Sequence, residues 1–317
     1  MRPRCVVAGG AGFIGYHMVR RLLEEDFDVV VVDNFATGTH LNAHELALED
    51  RCDIIQRDVC QPLSVAGPVD YVMNLACPAS PADFSRIPVE IMRTCSEGTY
   101  NLLELALHKG ARYMQASTSE IYGDPERHPQ TEDYTGNVNI TGPRAVYDEG
   151  KRYAEAIAFA FHRKYRLSIG VARIFNTYGP RMRLDDGRVV SNFFMQALKN
   201  EPLTLYGAGE QTRSFCYVTD EVDGLFRLLV SDHTGPFNIG NPAEVNIRQV
   251  ADLVIELTGS TAGTQFVPLL HADDPRRRKP DISLVQKKLG WEPSIDLREG
   301  LKRTEPWFRA LMFGEKQ

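Results

Sequence analysis

The chain has 317 residues, 43% hydrophobic and 25% charged, an ordinary globular composition with enough length for one large core and a smaller lobe. A formal net charge of −6 argues against a general nucleic-acid or anionic-membrane binder, while leaving room for an anionic small molecule in a local basic pocket. Six scattered cysteines give no Cys-x-x-Cys pair and no zinc spacing, no apolar run approaches a membrane span, and Met1 to Arg4 runs straight into the first apolar strand, so a cytoplasmic, metal-free enzyme with reduced thiols is expected.

Residues 5–8 read as a buried strand, 16–25 as a helix with Met18, Val19, Leu22 and Leu23 at helical spacing, and 28–33, with four consecutive valines, as a second buried strand. Short apolar runs at 53–56, 71–75, 113–116 and 169–173 alternate with helical stretches, two of them long, at 89–109 and 144–164. Beyond Gly179-Pro180 the rhythm changes: a helix at 190–199, a strand at 203–206, a helix at 247–258, and two short segments at 215–220 and 237–240 that can rejoin the main sheet. The expected fold is α/β: a Rossmann-type doubly wound parallel sheet with a smaller C-terminal α/β substrate lobe. Residues 1–178 are expected to form the main-sheet domain, with returning segments near 215–240, and 179–317 mainly the smaller lobe. The two long helices are also candidates for a homodimer interface.

Gly9, Gly12 and Gly15 lie between the first strand and first helix, where glycine lets the backbone turn tightly and approach a pyrophosphate held at the helix N-terminus. The second strand ends at Asp33, placed to bind a ribose diol and repel a 2′-phosphate, which favours NAD over NADP.

Thr118-Ser119-Glu120 and the later pair Tyr147 and Lys151 join redox groups to an extra carboxylate. A tyrosine that serves as a base near neutrality needs its pKa lowered by about 3 units, roughly 4 kcal/mol, and a lysine one helical turn away can supply much of that. Glu120 lies outside the minimal hydride-transfer set and calls for a second chemical step: a sugar oxidised, altered and reduced again. Taken singly, Thr118 and Ser119 also fit strand-end caps, Glu120 a solvent-facing turn, Arg213 a surface ion pair and Tyr147 a core aromatic. Their co-occurrence in order singles them out.

The Gly-x-x-Gly-x-x-Gly spacing with Tyr-x-x-x-Lys resembles the extended short-chain dehydrogenase/reductase family over essentially the whole chain. Within it, the segments 74–81, 116–125, 147–152, 173–182, 187–193, 211–215 and 273–282 are most similar to the UDP-glucuronic acid decarboxylases. That resemblance implies NAD held by Gly9, Gly12, Phe13, Ile14, Gly15, Asp33, Asn34, Asp58, Val59, Leu75, Ala76, Tyr147 and Lys151. It implies a nucleotide-sugar substrate, UDP-glucuronic acid, bound by Pro78, Ser80, Asn176, Arg181, Val189, Asn192, Tyr206, Arg213 and Arg278, with Arg278 on the diphosphate and Tyr206 beside the uracil. Thr118, Ser119, Glu120, Tyr147, Lys151 and Arg213 would be catalytic. Glu120 beside a substrate carboxylate would be a like-charge pair, which should raise one of their two pKa values or favour loss of CO₂.

The chain departs from that pattern at Cys95, where asparagine is usual, at Thr135 for tryptophan, at Ile140-Thr141 for Pro-Ile and at Ala145-Val146 for Ser-Cys. The rivals are a nucleotide-sugar 4,6-dehydratase, disfavoured because Ser119 is a poor acid, a 4-epimerase, which needs neither Glu120 nor Arg213, and a non-catalytic NAD- and nucleotide-sugar-binding protein.

Overall fold

In the computed structural model, which describes residues 2–268 and 277–314, the apolar runs assemble into one parallel sheet of seven strands. The strands β1 (Arg4–Ala8), β2 (Asp28–Asp33), β3 (Cys52–Gln56), β4 (Tyr71–Asn74), β5 (Arg112–Thr118) and β6 (Ile169–Ile174) are joined by Phe237–Ile239. Their spatial order is Phe237–Ile239, β6, β5, β4, β1, β2, β3, so the sheet grows both ways from β1 as a doubly wound fold does.

The valines of β2 explain why it sits inside. Val29 and Val31 face one apolar cluster with Met18 and Leu22 of helix α1 (Phe13–Glu24), while Val30 and Val32 face another with Leu102, Leu103 and Phe161. A strand covered on both faces needs apolar residues at every position, and a run of valines supplies them. The first cluster continues without a break through Leu225 to Phe193, Val250 and Trp307.

Two sequence expectations need correction. Of the returning segments, Phe237–Ile239 does pair with β6. Residues 215–220 do not reach the main sheet: Cys216–Tyr217 pairs with Thr177–Tyr178, and Val218–Val230 is a helix that buries Val222, Leu225, Leu228 and Leu229. The apolar run is too short to separate a strand from the first turn of an amphipathic helix. The expected helix at 89–109 is interrupted: Pro88–Arg93 passes through a π turn, Thr94–Gly98, into Thr99–Lys109. That turn packs tightly, since a Cβ on Gly98 would meet Val59 Cγ2 at 2.7 Å and one on Gly150 would meet Cys95 Cβ at 3.0 Å.

Outside the sheet, Thr212–Ser214 pairs with Glu244–Asn246 on one side and Arg277–Arg278 on the other. Residues 273–276 of the matching segment lie outside the described residues. No helix among the described residues is long and apolar enough to cross a membrane.

Candidate active site

At the C-terminal end of the sheet a cleft of about 610 Å³ is lined by every residue singled out above as catalytic, cofactor-binding or substrate-binding. One end is the glycine loop. Gly9 has φ +80°, and a Cβ there would come within 2.7 Å of the Leu75 carbonyl carbon; a Cβ on Gly15 would meet Gly9 O at 2.0 Å. The loop can therefore lie against the end of β4 and the first turn of α1 only with glycine at both positions. Asp33 ends β2 and accepts hydrogen bonds from Ala11 N (3.0 Å) and Phe35 N (2.9 Å). Burial raises its pKa against those bonds. A carboxylate offers about four acceptor positions, so a ribose diol can still bind there. Asn34 reaches Asp58 across the loop at 3.3 Å. A backbone cradle at a helix N-terminus with an acid at the next strand end fits NAD.

At the centre of the cleft, β5 ends in Thr118, a 3₁₀ turn carries Ser119–Tyr122, and the helix Ala145–Tyr165 presents Tyr147 and Lys151 one turn apart. Tyr147 is 6% exposed, stacked on Phe84 with ring centres 5.1 Å apart, and hydrogen-bonded by Thr118. Lys151 Nζ donates to Ala116 O at 2.9 Å and lies 5.7 Å from the Tyr147 ring centre. In place of the expected lowering by Lys151, burial first and Cys77 second push the phenol well above its ordinary value, against the Thr118 bond.

Glu120 lies within the field of three arginines. Burial alone would raise its pKa, but Arg278, then Arg144, with Arg213 adding its charge, hold it at about 2. Arg278 grips the carboxylate with two bonds, Nη1 to Oε1 at 2.6 Å and Nη2 to Oε2 at 2.8 Å, and Arg144 Nη2 donates to Oε2 at 2.6 Å. Arg278 and Arg213 are register partners in adjacent strands, which brings both to the same side of Glu120. Arg144 and Phe84 are the residues that sequence reasoning missed. The arginine three positions before Tyr147 was the available signal, because that spacing puts both near one face at the start of a helix. Arg144 also stands over the Phe84 ring at 5.7 Å.

The lowered Glu120 pKa has a testable sign. A carboxylate depressed in the folded state stabilises fully above its unfolded pKa and loses that contribution as pH falls toward the folded value. Glu120→Gln should therefore cost on the order of 3 kcal/mol at neutral pH, and the deficit should shrink as both proteins are unfolded in urea at pH values approaching 2. An equal deficit at both ends of that range would remove Glu120 as the titrating group.

Several substrate-side residues have partners of their own. Arg278 holds Glu120, where a diphosphate was expected. Arg181 bonds Glu45 through both terminal nitrogens (2.9 and 2.6 Å), between the rings of Tyr16 and Trp307. Ser80 caps the Pro81–Arg86 helix and hydrogen-bonds Asp186 O. Asn192 donates to Gly187 O at 3.0 Å. Asn176 lends its backbone carbonyl to Cys216 N at 2.8 Å, and Tyr206 its carbonyl to Gln211 at 3.0 Å. Among the described residues no cluster suited to a metal ion is present.

A glycine cradle for a dinucleotide, with a Tyr-Lys pair and an acid at the mouth of the same sheet, defines a class of nicotinamide enzymes, and the chain belongs to the NAD dependent epimerase/dehydratase family, whose model matches residues 5–240. Among curated proteins it is 50% identical over 316 residues to UDP-glucuronic acid decarboxylase 1 of Arabidopsis thaliana, covering 100% of this chain and 72% of that one. It is 52% identical over 310 residues to UDP-glucuronic acid decarboxylase 6 of the same plant, covering 98% and 90%. The UDP-glucose 4-epimerase of Thermotoga maritima, solved with UDP-glucose, superposes with a TM-score of 0.89 at 30% identity, covering 98% of this chain and 99% of that one.

Proposed function

We propose that the chain decarboxylates UDP-glucuronic acid to UDP-xylose through a 4-keto intermediate, with NAD restored in each turnover. The observation that carries this reading is the convergence of Arg144, Arg213 and Arg278 on one carboxylate beside Tyr147. Glu120 demonstrates that these guanidiniums take a carboxylate, two of the bonds in the parallel geometry that suits one. A substrate carboxylate entering the cleft would meet the same groups.

A glucuronic acid resists loss of CO₂ because the departing electrons have nowhere to go; a ketone at C4 makes it a β-keto acid whose carbonyl accepts them. Gly9, Gly12, Gly15 and Asp33 would hold NAD, which would supply the hydride acceptor for C4 and the hydride returned there. Tyr147 takes the C4 hydroxyl proton and gives it back, Thr118 and Ser119 hydrogen-bond the reacting sugar, and Lys151 holds the nicotinamide ribose. Arg213 and Glu120 orient the carboxylate and manage the proton at C5. Arg278 contributes to nucleotide-sugar binding from the strand beside Arg213, and the residues from 179 onward that line the cleft form most of the nucleotide-sugar lobe.

Incubation with UDP-glucuronic acid and NAD, followed by mass spectrometry, tests the reading: CO₂ and a product lighter by that amount are expected. An unchanged mass with an epimerised sugar, or loss of water from UDP- or dTDP-glucose, would replace it.

The working form proposed is a cytoplasmic homodimer. The segments nominated for the interface expose large apolar side chains, Val89 (64%) and Met92 on Pro88–Arg93, Tyr100 on Thr99–Lys109, and Tyr153 (44%) and Tyr165 on Ala145–Tyr165. Exposed apolar area of this kind on neighbouring helices favours a self-complementary contact. Light scattering should give twice the chain mass for the parent and the single chain mass for a Val89→Glu, Tyr153→Glu double variant; a monomeric parent at working concentration defeats it.

A further inference from the structure

The chain holds a second reactive pair within the same cleft wall. Cys77, on the loop after β4, and Cys95, in the π turn Thr94–Gly98, are free thiols whose sulfurs lie 3.3 Å apart although the residues are 18 positions apart in sequence. Cys77 lines the cleft; Cys95 is 2% exposed and pressed against Gly150, one residue before Lys151. Both belong to the apolar cluster that contains Phe84, Ile91 and Tyr147.

We propose that Cys77 and Cys95 are a modification site: a dithiol that hydrogen peroxide converts to an intramolecular disulfide, and that the closed form stops turnover at Tyr147. In the first step the Cys77 sulfur attacks one peroxide oxygen, the O–O bond breaks, and a sulfenic acid forms with loss of water. In the second, the Cys95 sulfur attacks the Cys77 sulfur, the S–O bond breaks, and the second water leaves. Two electrons pass from the thiols to the peroxide, the two thiol protons end in the water formed, and no further reactant is needed.

Geometry gives Cys77 the first step, since it faces the cleft and its neighbour is enclosed. Electrostatics agrees: the hydrogen bond from Cys95 first, with Lys151 also contributing, lowers the Cys77 pKa despite burial, whereas Cys95 is pushed up. A thiolate is the attacking species, so this ordering favours oxidation at Cys77 and resolution by Cys95.

A disulfide needs its sulfurs about 2.05 Å apart, so the present 3.3 Å must close by more than an ångström. That movement draws the loop from Leu75 to Pro81 toward the π turn. Both segments touch the packing around the catalytic phenol, through Phe84 and through Gly150 on the helix of Tyr147 and Lys151. A displacement of about 1 Å in a reacting geometry can lower rate by roughly 10²-fold.

The inhibitory half rests on the proposed decarboxylase activity, whereas the cross-link does not, so the test reads both. Holoenzyme is exposed to peroxide, then alkylated and digested without reductant for peptide mapping, and CO₂ release from UDP-glucuronic acid is measured before oxidation, after it, and after a thiol reductant. The expected result is one linked peptide joining Cys77 to Cys95, lighter by two hydrogens, with turnover down by roughly 10²-fold and restored on reduction. Cys95→Ala should keep turning over after the same exposure and show oxygen added at Cys77. Full alkylation of both cysteines after exposure, a link that leaves turnover unchanged, or equal loss in Cys95→Ala would each overturn the proposal. A chain that never releases CO₂ even before oxidation would fail the decarboxylase reading, while the peptide map would still decide the thiol site.

Discussion

Tyr147→Phe is expected to retain fold and NAD and to release CO₂ from UDP-glucuronic acid roughly 10²–10⁴-fold more slowly than the parent. The variant deletes one oxygen from a ring stacked on Phe84 and 6% exposed, so the packing that holds the helix stays in place. It removes the oxygen proposed to take the C4 hydroxyl proton, the one to which Thr118 hydrogen-bonds. Burial first and Cys77 second oppose the phenolate that a base at Tyr147 requires, and the Thr118 bond favours it, so the base role would draw on the positive charge of a bound nicotinamide; a ring without the hydroxyl has no oxygen to accept the proton. Steady-state rates, with bound dinucleotide measured on the same preparation, check it. A rate within a few-fold of the parent with normal dinucleotide content would transfer the base to another group.

How much of this could be read from residues alone depended on range. The strand Asp28–Asp33 was legible to the residue because four valines between two aspartates fit only a strand buried on both faces. Tyr147 and Lys151 were legible because four residues is one helical turn, whatever the tertiary structure. Their environment was not: the phenol's pKa is raised by burial and then by Cys77, 70 positions away, neither of which leaves a local mark. Glu120 is the same case. Its turn was visible, but the two bonds from Arg278 that help to hold its pKa down close over a separation of 158 residues. The π turn at Thr94–Gly98 escaped for a related reason, since it is shaped by the close crossing at Gly98 and Gly150 more than by the run of residues within it.

Arg173→Met is expected to cost about 3–5 kcal/mol of stability, a large share of the roughly 5–15 kcal/mol that holds a native domain together. Arg173 on β6 grips Glu155 with two bonds, Nε to Oε1 at 3.0 Å and Nη2 to Oε2 at 2.9 Å, and the pair is about nine-tenths buried. Its Nη1 donates to Tyr122 Oη at 2.9 Å and to Glu132 O at 2.8 Å, Tyr122 donates on to Asn238, and Ser117 donates to Glu155 at 2.5 Å. Burial alone would lower the Arg173 pKa, but Glu155 and Tyr122 push it above the ordinary value. Removing the arginine leaves the glutamate charged and dry, which is the expensive way to break a buried pair. The double variant Arg173→Met, Glu155→Leu removes both charges together and should recover much of the loss, although Ser117 and Tyr122 each give up a partner. Urea midpoints for parent, single and double variants decide it: additive losses would mean that the pair is not coupled. Ser117 lies two residues before the turn that carries Glu120 and Tyr122 ends it, so the single variant should also lower turnover in the fraction that remains folded.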